Sequence, residues 1–233
     1  MKGEGSSKTE PMRLAIVDDH ELAREALRDM LADEPDMEVV GEATNGREAL
    51  SLCSQLHPDL LLMDVRMPEV DGLRATREIK RRHPEISVLM VTMHENPDYL
   101  LEALKVGAAG YVLKDASLEE VIGAVQQVRD GESPLDAELA ARLLRRLAAE
   151  ATERPPQVTR GAQHVEPLSP RELEVLGYTK LGQTNRQIGR ELSISPGTVK
   201  RHIEHIIAKL GVSDRTQAVV RALELGLLGL SGD

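Results

Sequence analysis

Leu60-Leu61-Leu62-Met63-Asp64-Val65-Arg66-Met67-Pro68 is an apolar run that ends in a carboxylate and passes at once into a proline-marked loop. A continuous apolar run of this length fits a strand buried on both faces, as in a parallel sheet covered by helices. Asp64 then stands at the carboxyl end of the strand, the edge beyond which ligands bind in open α/β sheets. Aspartate is also a common turn residue. The stretch alone therefore leaves two readings open, a turn or a carboxylate placed for chemistry, and the surrounding chain decides between them.

Working outward, three more short apolar runs end in polar residues. Leu14–Val17 stops at Asp18-Asp19, Ile86–Val91 delivers Thr92, and Gly110–Leu113 delivers Lys114, while Val39-Val40-Gly41 reads as a further strand. Between them lie helical patterns with recognisable ends. Leu22, Ala26, Leu27, Met30 and Leu31 recur at helical spacing, and Asn45 with Glu48 makes a helix start of the capping-box type. Asp71-Gly72, Asn96-Pro97 and Ser117 with Glu120 open three more helices, and His57-Pro58, His83-Pro84 and Gly107 close three. Five strands alternating with five helices predict a doubly wound α/β domain with a five-stranded parallel sheet over residues 13–130. Asp18, Asp19, Asp64, Thr92 and Lys114 then share one sheet edge. A phosphoryl-accepting carboxylate needs a divalent cation, because two anions must meet. Magnesium suits Asp18, Asp19, Asp64 and the backbone carbonyl of Arg66 with waters retained, leaving Lys114 to pair with phosphoryl oxygens and Thr92 to offer a hydroxyl.

Charge divides the chain of 233 residues: the formal charge is −12 over residues 1–166 and +2 over 167–233. Only the second part could meet nucleic acid, and only if its cations cluster on one face. The single Cys53 excludes an intrachain disulfide framework and falls on the apolar face of a helix, which fits a buried residue and a reducing, cytoplasmic setting. No apolar window approaches a membrane span, so membrane insertion is not expected. With no Phe or Trp, stacking recognition of single strands is also disfavoured. Residues 1–12 read as a disordered tail. Residues 131–166 read as a linker in which Leu139, Leu143, Leu144 and Leu147 mark an amphipathic helix, followed by a Pro155-Pro156 tether. Residues 229–233 form a short tail.

Residues 167–228 hold four helix signatures. Ser169-Pro170-Arg171-Glu172 and Thr184 with Gln187 are capping boxes, Ser195-Pro196 starts a third helix, and Ser213 is placed to cap a fourth. Leu173, Val175, Leu176 and Leu181 are the apolar positions of the first. Val199, Ile203, Ile206, Ile207 and Leu210 form a stripe on the third, with Lys200, Arg201, Glu204 and His205 facing away. A short helix, a tight turn and a longer helix with a basic start make a helix-turn-helix.

Residues 13–130 resemble the receiver domain of two-component response regulators, a flavodoxin-like fold. The resemblance rests on Asp18-Asp19, Asp64 followed by Met67-Pro68 and Asp71-Gly72, Thr92, and Tyr111-Val-Leu-Lys114-Asp115. It implies that a sensor histidine kinase phosphorylates Asp64, that Asp18 and Asp19 bind Mg²⁺, that Thr92 and Tyr111 rearrange, and that Lys114 contacts the phosphate. Residues 167–228 resemble the all-α, four-helix LuxR-type helix-turn-helix of NarL/FixJ regulators, through Leu168–Glu172, Glu174-Val-Leu176, Gly182, Asn185, Ile188, Thr198-Val-Lys200, His202, Lys209–Val212 and Arg215. That similarity implies double-stranded DNA as partner, a recognition helix in the major groove, and a homodimer on phosphorylation through the last helix. Lys200 and Arg201 suit guanine edges, while Thr198, Arg186 and Lys209 suit phosphates. Glu204 either reads cytosine, tightens specificity or lowers affinity.

Two rival readings share the sheet. A magnesium-dependent aspartyl-phosphate phosphatase usually carries a second acid two residues after the nucleophile, where this chain has Arg66. A regulator of the same fold that ignores phosphate would not need the full acidic set.

Overall fold

Strands β1 (Met12–Val17), β2 (Met37–Ala43), β3 (Leu60–Asp64), β4 (Ser87–Thr92) and β5 (Gly110–Leu113) lie parallel in the order β2-β1-β3-β4-β5. The structure, a computed structural model, describes residues 10–93, 97–132, 134 and 166–228. All five residues of β3 are buried, as expected of a central strand covered on both faces. Alternate residues feed two cores. Ala15, Val17, Leu61, Met63, Val88 and Met90 meet helices α2 (Gly46–Leu56) and α3 (Gly72–Arg82), together with Ala103 of α4 (Pro97–Val106). Leu14, Ile16, Leu60, Leu62, Leu89 and Val91 meet α1 (Glu21–Ala32) and α5 (Leu118–Arg129). The strand order reverses at β1, so a crevice opens between the ends of β1 and β3, where Asp18 and Asp64 lie.

Most element ends form as their residues dictate. Asn45, Asp71 and Ser117 accept hydrogen bonds from the first turns of α2, α3 and α5. The glutamate at Glu48 departs from a capping box: it accepts from the backbone and hydroxyl of Thr44, one residue before the cap. Leu22 is also not a core residue, being 79% exposed, because α1 buries only Leu27 and Leu31.

Four helices follow in the tail domain: α6 (Pro170–Lys180), α7 (Asn185–Glu191), α8 (Pro196–Leu210) and α9 (Arg215–Glu224). Both expected capping boxes close, at Ser169–Glu172 and Thr184–Gln187. Asp214 rather than Ser213 caps α9, accepting from Gln217 N, while the Ser213 hydroxyl turns to the Asp214 carboxylate. Leu181 is 51% exposed and leaves the α6 stripe, since it lies at the helix end. The polar residues at the end of α6 serve a buried cation. The guanidinium of Arg215 donates to Thr179 Oγ1, Asn185 Oδ1 and Gln183 O.

The two domains touch. Gln217 Nε2 donates to Leu104 O at 3.2 Å and Ala108 O at 2.7 Å, joining α9 to the end of α4. Lys80 of α3 reaches the Ser213 hydroxyl and lies 4.0 Å from Asp214, while also donating to Ile86 O at 2.6 Å. Glu132 accepts from Asn185 N at 3.0 Å, and Lys200 pairs with Asp130 at 3.6 Å. The expected Asn96 cap, the linker helix around Leu139–Leu147, the tether, residues 1–9 of the expected amino-terminal tail and the carboxyl-terminal tail lie outside the described residues; Met12, read as part of the disordered tail, instead opens β1 beside Met37 of β2.

Candidate functional site

Three strand ends build an acidic pocket. β3 carries Asp64, and the next backbone amide, Val65 N, donates to its Oδ1 at 2.8 Å, which orients the carboxylate. Asp18 follows β1 and is 1% exposed; its backbone amide donates to Ala43 O and its Oδ1 accepts from His20 N at 2.9 Å. Lys114 follows β5 and spans both acids, with Nζ 2.6 Å from Asp18 Oδ2 and 2.9 Å from Asp64 Oδ2. Its backbone amide donates to Thr92 O at 2.8 Å, so the ends of β4 and β5 are tied beside the pocket. Thr92 is buried, and Tyr111 is half-buried against the α2–α3 side of the sheet. Arg66 lies exposed in the loop two residues beyond Asp64.

Charge in the pocket is unbalanced. Burial pushes the Asp64 carboxyl above the ordinary aspartate range despite the pull of Lys114. Burial also opposes the charge on Lys114, but its contacts with Asp18 and Asp64 outweigh that and hold the ammonium above its usual value. Lys114 pairs with two carboxylates, Asp18 and Asp64, and Asp19 adds a third close by. Ligand atoms of Asp18, Asp19, His20 and Asp64 all fall within 4.8 Å of one another. Asp18 Oδ2 is sealed from solvent against the Lys114 ammonium. A buried anionic oxygen of this kind, among oxygen donors, fits a hard divalent cation such as Mg²⁺.

Two residues of the pocket, His20 and Arg24, were not picked out by sequence patterns, and Gly72 was read only as part of a motif and a helix start. His20 caps the acid pair, with Nδ1 3.0 Å from Asp19 Oδ1, and its adjacency to Asp18-Asp19 is the one signal for it. Arg24 donates to Asp18 O at 2.8 Å from the first turn of α1, with no sequence signal. Gly72 approaches so closely that a Cβ there would overlap the Asp64 carbonyl oxygen, and its amide donates to Val65 O at 2.9 Å.

The second candidate surface lies in the tail. α7 and α8 are joined through Ser193, whose φ of 54° makes the turn, and Ile194 N donates to Gly189 O at 2.9 Å. Val199, Ile203, Ile206 and Leu210 are buried, which leaves Arg201, Glu204 and His205 of α8 and Arg186 of α7 exposed. Thr198 is half-buried at the start of α8, its hydroxyl 2.8 Å from that of Ser195. Lys200 is held by Asp130 of the first domain. Lys209 stands apart at the other end of α8, paired with the buried Glu172 at 2.8 Å. The structure thus groups Thr198, Lys200, Arg201 and Glu204 on the first turns of one helix, and separates Lys209 from them.

Comparison with known proteins finds a family for each of the two domains. Residues 14–126 match the response regulator receiver domain, and residues 166–222 match the luxR family of bacterial regulatory proteins. The chain is 38% identical to the transcriptional regulatory protein DegU of Brevibacillus brevis, over 92% of this chain and 94% of that protein. It is 38% identical to the transcriptional regulatory protein LiaR of Bacillus subtilis, over 91% of this chain and 96% of that protein. Among solved structures, the RcsB response regulator of Salmonella typhimurium superposes with a TM-score of 0.53 at 26% identity, over 94% of this chain and all of that one. The signal receiver domain of the putative response regulator NarL from Mycobacterium tuberculosis superposes with a TM-score of 0.50 at 36% identity, over 51% of this chain and 96% of that one.

Proposed function

The chain belongs to the two-component response regulators in which a receiver domain precedes a LuxR-type DNA-binding domain, and from that premise we propose that phosphorylation of Asp64 governs DNA binding by α8. It is a transcriptional regulator. In this reading residues 13–130 receive the signal, 131–166 link, and 167–228 bind DNA. The observation that carries the proposal is the convergence of Asp18, Asp64 and Lys114 within ion-pair distance at one crevice.

Asp64 is the phosphoacceptor. The P–N bond of a phosphohistidine on a sensor kinase breaks, a P–O bond to an Asp64 oxygen forms, and the imidazole nitrogen keeps the bonding electron pair. Asp18, Asp19, Asp64 and the carbonyl of Arg66 would hold Mg²⁺, which when bound offsets the negative charge that gathers in phosphoryl transfer. Val65 N–H fixes the direction of the nucleophile. Lys114 starts between two carboxylates and turns to the phosphoryl oxygens, while Thr92, at the end of β4, offers its hydroxyl to another. Tyr111 moves with Thr92. Such new contacts exist only in the phosphorylated state, so they supply the differential free energy that a switch requires.

The output lies at the far end of α4 from Thr92. α4 ends at the carbonyls that hold Gln217 of α9, so a shift of Thr92 and α4 loosens the contact between domains. Freed, α9 pairs with a second copy and α8 enters the major groove of double-stranded DNA. Lys200 and Arg201 meet base edges there, Thr198 and Arg186 meet phosphates, and Glu204 bears on specificity. Lys209, whose charge is offset by Glu172, meets a phosphate only by leaving that pair. Among the described residues no helix is long and apolar enough to cross a membrane, in keeping with a cytoplasmic regulator.

The test is direct. Incubation with Mg²⁺ and a small acyl phosphate adds one phosphoryl mass on Asp64 and strengthens DNA binding, and Asp64→Asn loses both. Stimulation that survives in Asp64→Asn would instead support a regulator that ignores phosphate.

A further inference from the structure

A second ligand cluster sits at the opposite end of the receiver domain from the acidic pocket. α2 and α3 pack side by side and each ends at a histidine followed by proline, His57-Pro58 and His83-Pro84. Glu85 follows in the turn to β4. Ligand atoms of His57, His83 and Glu85 all lie within 4.8 Å of one another, and the two rings stand edge to face with centroids 6.0 Å apart.

Ser54 Oγ donates to Leu50 O at 3.1 Å and lies 3.2 Å from His83 Nε2. In the tautomer that keeps the Leu50 bond, Ser54 Oγ accepts from His83 Nε2–H. The lone pair is then on Nδ1, which faces Glu85 Oε1 at 3.7 Å. In a neutral imidazole, two lone pairs pointing at one another across that gap repel unless a cation lies between. The separation is close to the roughly 3.3 Å that two ligands at about 2.0 Å subtend in a tetrahedral site. Ser54 thus stands where an outer hydrogen-bond partner stands in histidine metal sites, setting tautomer and ring orientation. The partial negative charge at the carboxyl ends of two helices adds to the attraction for a cation.

We propose that His57, His83 and Glu85 form a site for a borderline-soft divalent transition metal ion of the Zn²⁺ type. Two imidazoles and one carboxylate select such an ion over Mg²⁺, which prefers oxygen. Three protein ligands leave a fourth position for water. The site occupies the turn whose Pro84 and Ile86 carbonyls hold Lys80 towards α9, so an ion here stiffens the footing of the contact between domains. The inference does not rest on phosphorylation of Asp64.

The test uses the tag-free full-length chain. Titration with Zn²⁺ is followed by calorimetry and titration with Co²⁺ by its visible d–d absorption. One equivalent binds at this site, His57→Ala and His83→Ala each weaken it about tenfold or more, and Ser54→Ala weakens it through the outer shell. Asp64→Asn leaves it unchanged. Zn²⁺ affinity and Co²⁺ bands that survive in the His57→Ala, His83→Ala double variant would overturn the proposal, as would their loss in Asp64→Asn, which would place the ion in the acidic pocket. His57 is exposed and His83 half-buried at helix ends, and a far-ultraviolet circular dichroism spectrum matching the parent's checks that both variants keep the fold.

Discussion

Gly72 shows how a residue against Asp64 can be chosen by space alone. Its Cα lies against the Asp64 carbonyl, and a methyl group there has no open direction. Gly72→Ala should cost about 1–3 kcal/mol through overpacking, read as a lower urea midpoint, and should slow phosphoryl uptake because Asp64 moves with the loop. An unchanged midpoint and unchanged uptake would show that the loop has slack. Cys53 is the contrasting case, a group that burial silences. Its thiol is pushed up from 9.0 to about 12, so at neutral pH a thiol reagent labels it only through unfolding, at a rate that rises with urea. The folded value lies above the unfolded one, so its stabilising contribution is complete below pH 9 and is lost as pH rises towards 12. Cys53→Ala should flatten part of that alkaline loss in unfolding titrations. Asp18, Asp64, Thr92 and Lys114 were legible in the sequence because each ends an apolar run, and strand ends of a parallel sheet meet on one edge. Gly72 carried a motif but not its reason, and Arg24 had no signal, because what they touch is far along the chain.

Elements whose determinants are local were the most legible. The boxes at Ser117–Glu120, Ser169–Glu172 and Thr184–Gln187 need only a four-residue window, and all three close. The end of α6 was legible only in part. Tyr178, Thr179, Lys180 and Gln183 look too polar for a packed helix end, yet Thr179 and Gln183 are acceptors for Arg215, which is 3% exposed. Arg215 itself opens α9, where the helix dipole disfavours a cation, so nothing in its own neighbourhood predicts burial. Its acceptors come from α6, α7 and the turn between them, more than 30 residues earlier in part, and burial pushes its guanidinium down to about 10. Removing the guanidinium strands those acceptors without solvent. Arg215→Met should therefore destabilise the DNA-binding domain by about 2–4 kcal/mol, while the receiver domain keeps its own transition in a two-domain unfolding curve. A loss below about 0.5 kcal/mol would mean that water reaches those acceptors.

At the scale of the whole molecule, two domains and their order follow from composition and pattern, but their contact does not. Lys80 and Gln217 each occupy a polar helix position and read as solvated; only the fold brings them to the partner domain. Magnitudes decide which contact holds the closed arrangement. Lys200 and Asp130 form a pair in which both side chains are substantially exposed, at 40% and 56%, and such pairs contribute about 0–1 kcal/mol. Gln217 makes two hydrogen bonds to the end of α4, and the Lys80 side chain is only 12% exposed where it meets Ser213 and Asp214. Each neutral hydrogen bond contributes about 0.5–1.5 kcal/mol, so the two of Gln217 together contribute about 1–3 kcal/mol and Gln217→Ala shifts the balance by roughly five- to a hundredfold towards an open form. Lys80→Ala acts from the receiver side, where it cannot touch DNA, and therefore separates opening from DNA affinity. Without phosphodonor, both variants should bind operator DNA several-fold more tightly than the parent in an anisotropy titration, and with phosphodonor Lys80→Ala should match the parent. Asp130→Asn should leave basal binding within about twofold. Lys200→Ala should instead weaken binding with and without phosphodonor and lower the slope of log affinity against log salt if it neutralises a phosphate, by about one per contact. An unchanged slope with relaxed preference at one guanine would assign Lys200 to a base edge, the role that its position on the first turns of α8 favours. Equal basal binding in Lys80→Ala, Gln217→Ala and the parent would remove the contact between domains from the mechanism and leave dimer formation alone to carry the signal.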